Sequence, residues 1–152
     1  MKVEYVNPFI TATINTFQTM LNVRLTAEKP ALKTLPFPTF DVSGIIGISG
    51  DALGSIALSF PRLVALRVVT KILGTTVKII GPEVSDAVGE LTNIVAGNAK
   101  KDLGDLHISI SLPNVIIGKQ HQISNPRGAQ SFIVPFKCEL GGLALDICLK
   151  TE

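Results

Sequence analysis

Residues 86–104, DAVGELTNIVAGNAKKDLG, have the apolar spacing of one amphipathic helix, and its polar side carries the side chains best suited to chemistry. Asp86, Glu90 and Asn93 lie on that side beside Gly97. Residues three apart on a helix are neighbours, so Glu90 and Asn93 project in the same direction. A carboxylate accepts hydrogen bonds or pairs with a cation, whereas a carboxamide both donates and accepts. The two side chains could therefore contact one partner together.

The apolar residues of this segment predict how the helix packs. At about 100° per residue, five of them fall within one stripe about 60° to 80° wide, which we expect to face the core. They are Val84, Val88, Leu91, Val95 and Ala99. The polar set falls about 180° to 240° from Val84, so it faces away from the core. Asn98 lies near the edge of the stripe, and we expect a structural role for it, such as a bond to a neighbouring backbone.

The solvent-exposed face of a helix is ordinarily polar, so the pattern needs further support to indicate function. Gly97 gives some, because a glycine inside a helix costs about 1 kcal/mol relative to alanine. An exposed glycine is expected where another backbone approaches closely. The face from Asp86 to Gly97 also has no Lys or Arg, so Glu90 lacks an intrahelical cation to neutralise it.

With these residues the chain resembles the CheX branch of the CheC/CheX/FliY chemotaxis phosphatases. The similarity covers almost the whole length, through NPFI, GIIGISGDALGSIALSF, KILG and DAVGELTNIVAGNAK. The family signature is Asp or Ser, three residues, Glu, two residues, Asn, and a later Pro. Asp86, Glu90 and Asn93 match that spacing, and Pro113 lies in the expected strand region, a few residues earlier than in the family pattern.

The resemblance implies an enzyme that removes the phosphoryl group from the aspartate of a phosphorylated CheY-like response regulator. The regulator would bring its own Mg²⁺ and lysine, so this chain would need no intrinsic cofactor. Asn93 would hold the attacking water, and Glu90 would dock against a cation of the regulator. Asp86 would either assist recognition or complement the dipole of the helix. Glu90 and Asn93 are thus the expected catalytic pair, and Asp86, Glu90 and Gly97 form the expected partner-binding surface.

The resemblance also implies an α+β, CheC-like fold, in which an antiparallel sheet and long helices form a pseudo-duplicated unit of helix plus strands. Some members of the family carry the Glu-x-x-Asn motif on both long helices. In the first helix of this chain the matching Asn is Asn15, but Ala12 stands where the Glu would be. The chain therefore resembles the single-site, dimeric members.

The order of elements read from the sequence agrees with that architecture. The first helix is expected to begin at Asn7-Pro8, with Asn as its cap, and to end near Asn22. An extended connection over 26–40 precedes two strands joined at Gly50-Asp51. A second helix follows from Pro61 to Gly74. A third runs from Gly81-Pro82 to about Gly104.

The last part of the chain reads as strands. The run 107–118 is a strand pattern interrupted by Pro113, and a hairpin is expected around Gly141-Gly142. That turn would place Leu140 opposite Leu143, Cys138 opposite Leu145, Cys148 opposite Pro135 and Lys137 opposite Asp146. The two cysteines would then lie on opposite faces of the sheet and remain free thiols.

Length and composition limit the remaining possibilities. A chain of 152 residues fits one domain, residues 1–152. Only 17% of residues are charged, and the mean hydropathy of +0.42 is high for a soluble monomer, so we expect a homodimer. A net charge of +2 argues against a nucleic-acid partner. We find no metal-ligand cluster, membrane span or signal peptide, and we expect a cytoplasmic protein.

The sequence is also compatible with two alternatives to a phosphatase. One is a non-catalytic dimeric docking module that binds a response regulator or a flagellar component. The other is a structural dimer in which the Glu-x-x-Asn face is simply solvated. Pure docking would use Glu90 but has no need of a water-orienting Asn93, so the presence of both favours the phosphatase.

Overall fold

The computed structural model describes residues 3–34, 38–118 and 125–151, which form one antiparallel sheet and three helices. The helices are α1 (Val3–Leu21), α2 (Arg62–Leu73) and α3 (Pro82–Lys101). The strands are β1 (Thr26–Ala27), β2 (Ala31–Leu32), β3 (Val42–Gly50), β4 (Ala52–Phe60), β5 (Ile108–Ile110), β6 (Asn114–Ile117), β7 (Gln130–Cys138) and β8 (Gly141–Thr151). The predicted α+β fold is confirmed.

The sheet has the strand order β1-β7-β8-β4-β3-β5, with β2 also pairing with β7 and β6 also pairing with β3. All of these pairings are antiparallel. The buried apolar residues of the helices and of the four central strands form one core cluster. A helix followed by antiparallel strands occurs twice along the chain, which is the predicted duplication. No helix among the described residues is long and apolar enough to cross a membrane.

The predicted start of the first helix is wrong. The helix begins at Val3, and Pro8 lies inside it instead of at its first position. A proline there removes only one hydrogen bond, close to the end where backbone N–H groups lack partners anyway. The extra turn buries Val6 to 6% exposure ahead of Phe9, which is fully buried, so packing favours the longer helix over a cap at Asn7.

The second helix begins and ends where the sequence predicts, and the third begins at the predicted position but ends at Lys101, three residues before the predicted Gly104. Pro61 precedes α2, and Gly74 ends it in the left-handed conformation with its N–H bonded to the carbonyl of Thr70. Gly81 precedes α3 and Pro82 is its first residue. The hairpin of β3 and β4 also turns at the predicted Gly50-Asp51.

The predicted extended connection over 26–40 is confirmed where its described part pairs with the edge of β7 as β1 and β2. Residues 35–37 lie outside the described part of the chain. Lys33 Nζ lies 2.7 Å from a carboxylate oxygen of Asp146 in β8, and both side chains are largely buried. Asp146 also accepts hydrogen bonds from the backbone N–H and the hydroxyl of Thr39. This buried ion pair fixes the connection on the sheet.

The predicted register of the last hairpin is wrong by four residues. The turn lies at Glu139-Leu140, with Cys138 opposite Gly141 and Phe136 opposite Leu143. The reason lies in the helix above: a Cβ on Gly141 would lie 2.6 Å from the side chain of Val64 in α2. Glycine is therefore needed at 141 for close packing and for a φ of 122°, not as the centre of the turn.

The pairings that depend on this register change with it. Cys148 lies opposite Ser131, and Asp146 lies opposite Ile133 instead of Lys137. Lys137 pairs with Glu28 at 2.9 Å on the surface. A shift of four keeps each side chain on its predicted face, because side chains alternate with a period of two. Both cysteines are free thiols.

Candidate functional site

The helix α3 carries the candidate site on the side opposite to its packed stripe. The five apolar residues predicted for that stripe are all fully buried, so this prediction is confirmed. On the opposite side Asp86 and Glu90 are exposed, and Asn93 and Gly97 are half-buried. The predicted outward direction of the motif is therefore correct.

The polar side chains of this face are available to a partner. Within the described part of the chain, the side chains of Asp86, Glu90 and Asn93 make no hydrogen bond or ion pair. Asp146, in contrast, is surrounded by donors. An unpaired carboxylate can accept hydrogen bonds from another molecule or pair with its cation, and an unpaired carboxamide can both donate and accept. Neither group has to break an internal contact first.

The depth of α3 on the sheet depends on a contact between Thr92 and Gly44 of β3. Thr92 is fully buried, and its hydroxyl donates a 2.7 Å hydrogen bond to the carbonyl of Val88. A Cβ on Gly44 would overlap that hydroxyl and would lie 3.2 Å from the Val88 carbonyl oxygen. Thr92 immediately precedes Asn93, so this close packing also sets how far Asn93 stands out from the sheet.

Pro113 packs beside the same helix, on the segment between β5 and β6. A Cβ on Gly89 would lie 3.5 Å from Val115 and 3.7 Å from Pro113, which is ordinary packing distance. Gly89 and Asn93 are four residues apart and so occupy the same side of α3. Pro113 thus lies along the edge of the candidate site, a position that the sequence spacing alone leaves open.

An apolar groove next to the motif was missed by the sequence analysis. It has a volume of about 410 Å³ and is formed where the ends of α1 and α2 meet α3. Its lining residues are Met20, Ile72, Leu73, Glu83, Asp86, Ala87, Glu90 and Leu91. Met20 and Leu73 are 42% and 46% exposed, which is high for apolar side chains beside a polar face. The groove joins apolar surface to three carboxylates.

Two other expectations for this helix have different outcomes. Among the described residues, nothing beyond the neighbouring turns of its own helix lies within 4 Å of a Cβ built on Gly97, so the space beside it is open and the expected backbone approach stays a prediction about a partner. Asn98 is half-buried and makes no side-chain hydrogen bond with any described residue, so the expected bond to a neighbouring backbone is not found.

Comparison with known proteins identifies the family. The family described as "Chemotaxis phosphatase CheX" matches residues 42–137, which is more than half of the chain and includes all of α3. The chain belongs to the CheX family. The predicted resemblance is therefore confirmed.

Individual CheX relatives agree with this assignment. A protein of Thermotoga maritima named "CheY-P phosphatase CheX" is 29% identical over 128 residues, covering 82% of this chain and 83% of the relative. The crystal structure of a CheC-like superfamily protein from Shewanella sp. PV-4 is similar with a TM-score of 0.88 and 37% identity, covering 99% of both chains.

A CheX structure from Borrelia burgdorferi is also similar, with a TM-score of 0.83 and 28% identity over 98% of this chain and 99% of that one. It is described as a complex of CheX with CheY, BeF3 and Mg²⁺.

Proposed function

We propose that this CheX-family protein is a phosphatase that hydrolyses the aspartyl phosphate of a CheY-like response regulator. Its family membership supports this proposal, as does the CheY-P phosphatase activity named for the Thermotoga relative. The Borrelia complex supports the choice of partner, because that CheX was solved together with CheY. Since response regulators signal inside the cell, the proposal includes the cytoplasm as the place of action.

The observation that carries the proposal is the pair of unpaired side chains on α3. Glu90 and Asn93 are neighbours on the outward side of the helix, and neither is satisfied by the described part of the chain. The apolar groove beside them gives a docking regulator surface to bury. A merely solvated face would not need such a groove next to it.

Asn93 is the proposed catalytic residue. Its carboxamide can accept a hydrogen bond from a water and donate one to a phosphoryl oxygen, which holds that water in line with the phosphorus. The water attacks phosphorus, the bond between phosphorus and the aspartate oxygen breaks, and inorganic phosphate and a carboxylate are released. Because the carboxamide does not change protonation, Asn93 acts by orientation alone.

Glu90 is the proposed docking residue. Its carboxylate would pair with a cation of the regulator, which we assign to the lysine beside the phosphorylated aspartate. Glu83 and Asp86 line the same groove as Glu90, so the face presents three carboxylates to a basic partner surface. Complementary charge of this kind favours the encounter and fixes the angle of approach. The open space at Gly97 would let a segment of the regulator come close to the helix.

The charge stabilisation that phosphoryl transfer needs is assigned to the regulator, whose Mg²⁺ and lysine neutralise the phosphoryl oxygens. Among the described residues of this chain, no group of three or more His, Cys, Asp or Glu is placed to hold a metal ion. The proposed contribution of this chain is therefore one positioned water and a docking surface.

We also propose that the protein acts as a homodimer. Leu112 is 86% exposed and Ile117 is 38% exposed at the sheet edge formed by β5 and β6. An edge strand with exposed apolar side chains is a ready site for pairing with another strand. A second copy of the chain would cover both the open backbone groups and the apolar side chains.

The test of the proposed activity is the rate at which a phosphorylated regulator loses its phosphoryl group. The regulator is phosphorylated with acetyl phosphate, freed of excess donor, and followed with and without the purified protein in Mg²⁺ buffer. We expect faster loss with the protein present, and no acceleration with Asn93→Ala. Equal rates with and without the wild-type protein, across several CheY-like regulators, would contradict the proposal.

A further inference from the structure

A second groove runs along the outward face of α2, away from the Glu-x-x-Asn motif. Leu63, Leu66, Arg67 and Lys71 line it at spacings of three and four residues, so they form one stripe along the helix. The buried residues of α2, Val64, Ala65, Val68 and Val69, lie on the opposite side against the core. The volume of this groove, about 690 Å³, exceeds that of the groove beside Glu90.

The floor of the α2 groove is apolar. Leu63 is 57% exposed, and Leu66, Val77 and Leu140 are half-buried around it. An outward helix face exposed only to water normally carries polar residues, as on α3. Leu63, which is exposed on this face beside the partly buried Leu66, therefore indicates a surface that another molecule covers.

The rim of the groove is positively charged. Arg67, Lys71 and Lys78 line it, and no acidic side chain is among the described residues that do so. Arg67 donates one hydrogen bond, of 3.3 Å, to the carbonyl of Leu140. A guanidinium has five N–H donors, so most of its donors remain open to a partner. The groove thus combines an apolar floor with three cations.

We infer that this groove binds an acidic, amphipathic peptide segment of a second protein, at a site separate from the phosphatase face. Apolar side chains of the segment would fill the floor, and its carboxylates would pair with Arg67, Lys71 and Lys78. The twelve residues of α2 extend about 18 Å, a length that suits about three turns of a bound helix.

The opposite charges of the two grooves select different partners. The groove beside Glu90 is lined by carboxylates and suits a basic surface, whereas the α2 groove suits an acidic one. A nucleic acid fits the α2 groove poorly, because the described residues of its lining include no aromatic side chain for base stacking and its floor is apolar. This protein could therefore bind a second partner at the α2 groove while it acts on the regulator at the α3 face.

The test selects binders from a display library of random 16-residue peptides against the folded full-length protein. We expect the recovered peptides to be net negative, with apolar residues at helical spacing. A synthetic peptide of the consensus sequence, measured by fluorescence anisotropy, should bind Lys71→Glu and Arg67→Glu at least tenfold more weakly than the wild type. Leu63→Ser should weaken binding too, although this variant keeps all three cations of the groove.

Matched controls separate the groove from general charge effects. Lys29 is exposed in the β1–β2 connection and lines neither groove, so Lys29→Glu should bind the peptide as the wild type does. Circular dichroism melts confirm folding, and Lys71→Gln provides a milder variant if charge reversal lowers expression. Phosphatase activity should be unchanged in Lys71→Glu, because the residue lies outside the α3 face.

Several results would overturn the inference. Recovery of no binders, of peptides without charge bias, or of peptides that bind Lys71→Glu normally would each exclude an acidic segment at this groove. Binding to anionic phosphatidylserine vesicles with the same dependence on Lys71 would assign the groove to a membrane surface instead. Loss of self-association in Lys71→Glu would assign it to a second copy of the chain.

Discussion

Thr92 of α3 packs directly on Gly44 of β3, so that any side chain at position 44 would overlap the threonine hydroxyl. The hydroxyl is held in place by its hydrogen bond to the Val88 carbonyl. This contact seats the middle of α3 against the sheet immediately beside Asn93. The candidate catalytic residue is thus positioned by a glycine that lies on another element.

Gly44→Ala should therefore lower the free energy of unfolding by about 1 to 3 kcal/mol, the usual range for overpacking a core. Urea denaturation measures this change. Thr92→Ala in the same chain should recover part of the loss, because it removes the overlapping hydroxyl, and the double-mutant cycle should show that coupling. In the same strand, Gly47→Ala is the control: its Cβ would lie at an ordinary 3.6 Å from Ser111. Equal effects at 44 and 47 would contradict this account.

The fold was predictable from the sequence wherever a local pattern, such as apolar spacing or a capping residue, determines the structure. The buried stripe of α3 follows from the spacing of its apolar residues, and the end of α2 follows from Gly74. The register of the last hairpin was not predictable, because Gly141 is needed for the approach of Val64 and for its φ of 122°, not as the centre of the turn. The approach of Val64 exists only once α2 has packed on the sheet.

The same distinction applies to the candidate site. Glu90 and Asn93 could be placed side by side from their spacing on one helix. The groove beside them could not, because Met20 and Leu73 come from the ends of two other helices and meet α3 only in the folded chain. One signal was available and was missed: Glu83 lies three residues before Asp86 and so falls on the same face.

The buried ion pair between Lys33 and Asp146 should contribute to stability in a way that the surface pair of Lys137 does not. The Lys33 and Asp146 side chains are 11% and 8% exposed, so Lys33→Met leaves a buried carboxylate without its cation. We expect a loss of about 3 to 5 kcal/mol in the free energy of unfolding. Lys33→Met with Asp146→Leu should recover much of it.

Lys137→Met is the control for that experiment, since the Lys137 side chain is 78% exposed in its pair with Glu28. Its urea midpoint should equal that of the wild type. A midpoint for Lys33→Met that is also unchanged would show that the pair does not hold the 26–40 connection on the sheet.

The proposed homodimer predicts a sedimenting species of twice the 16.2 kDa chain mass at micromolar concentration. Charges introduced at the exposed edge, Leu112→Lys with Ile117→Lys, should shift the protein to a monomer, because they disfavour strand pairing. Leu53 is also exposed but lies on β4, between β8 and β3 and away from the sheet edge, so Leu53→Lys serves as the control and should remain dimeric. A monomeric wild type in sedimentation velocity would rule the dimer out.

Glu90→Ala should act mainly on affinity for the regulator. The mutation removes one partner of a charge pair that docking partly desolvates, and such truncations weaken a complex by on the order of 2 to 5 kcal/mol. Titration with a beryllofluoride-loaded regulator measures the change in Kd. Glu139→Ala, exposed in the turn between β7 and β8, should bind normally. An affinity of Glu90→Ala for the regulator equal to that of the wild type would contradict the docking role of Glu90.

Asn93→Ala should instead abolish assisted dephosphorylation and leave binding nearly intact. The carboxamide holds the water and contributes little to docking, so Kd for the beryllofluoride-loaded regulator should stay within about a factor of ten, or roughly 1.4 kcal/mol. Single-turnover loss of the aspartyl phosphate, at saturating protein, separates turnover from affinity. Asn98→Ala, which removes a half-buried carboxamide from the same helix, should keep wild-type activity.

Stability measurements on the same variants exclude loss of the fold as the cause. Glu90 is exposed and Asn93 half-buried, and neither makes an internal bond within the described residues, so each alanine variant should lose no more than about 0.5 kcal/mol. Leu91→Ala, at a fully buried position between them, should lose about 2 to 5 kcal/mol. A melting shift in Asn93→Ala as large as that of Leu91→Ala would mean that the side chain supports the fold. Normal phosphatase activity in Asn93→Ala would refute the water-positioning mechanism directly, because no other carboxamide on the exposed side of α3 is placed beside Glu90.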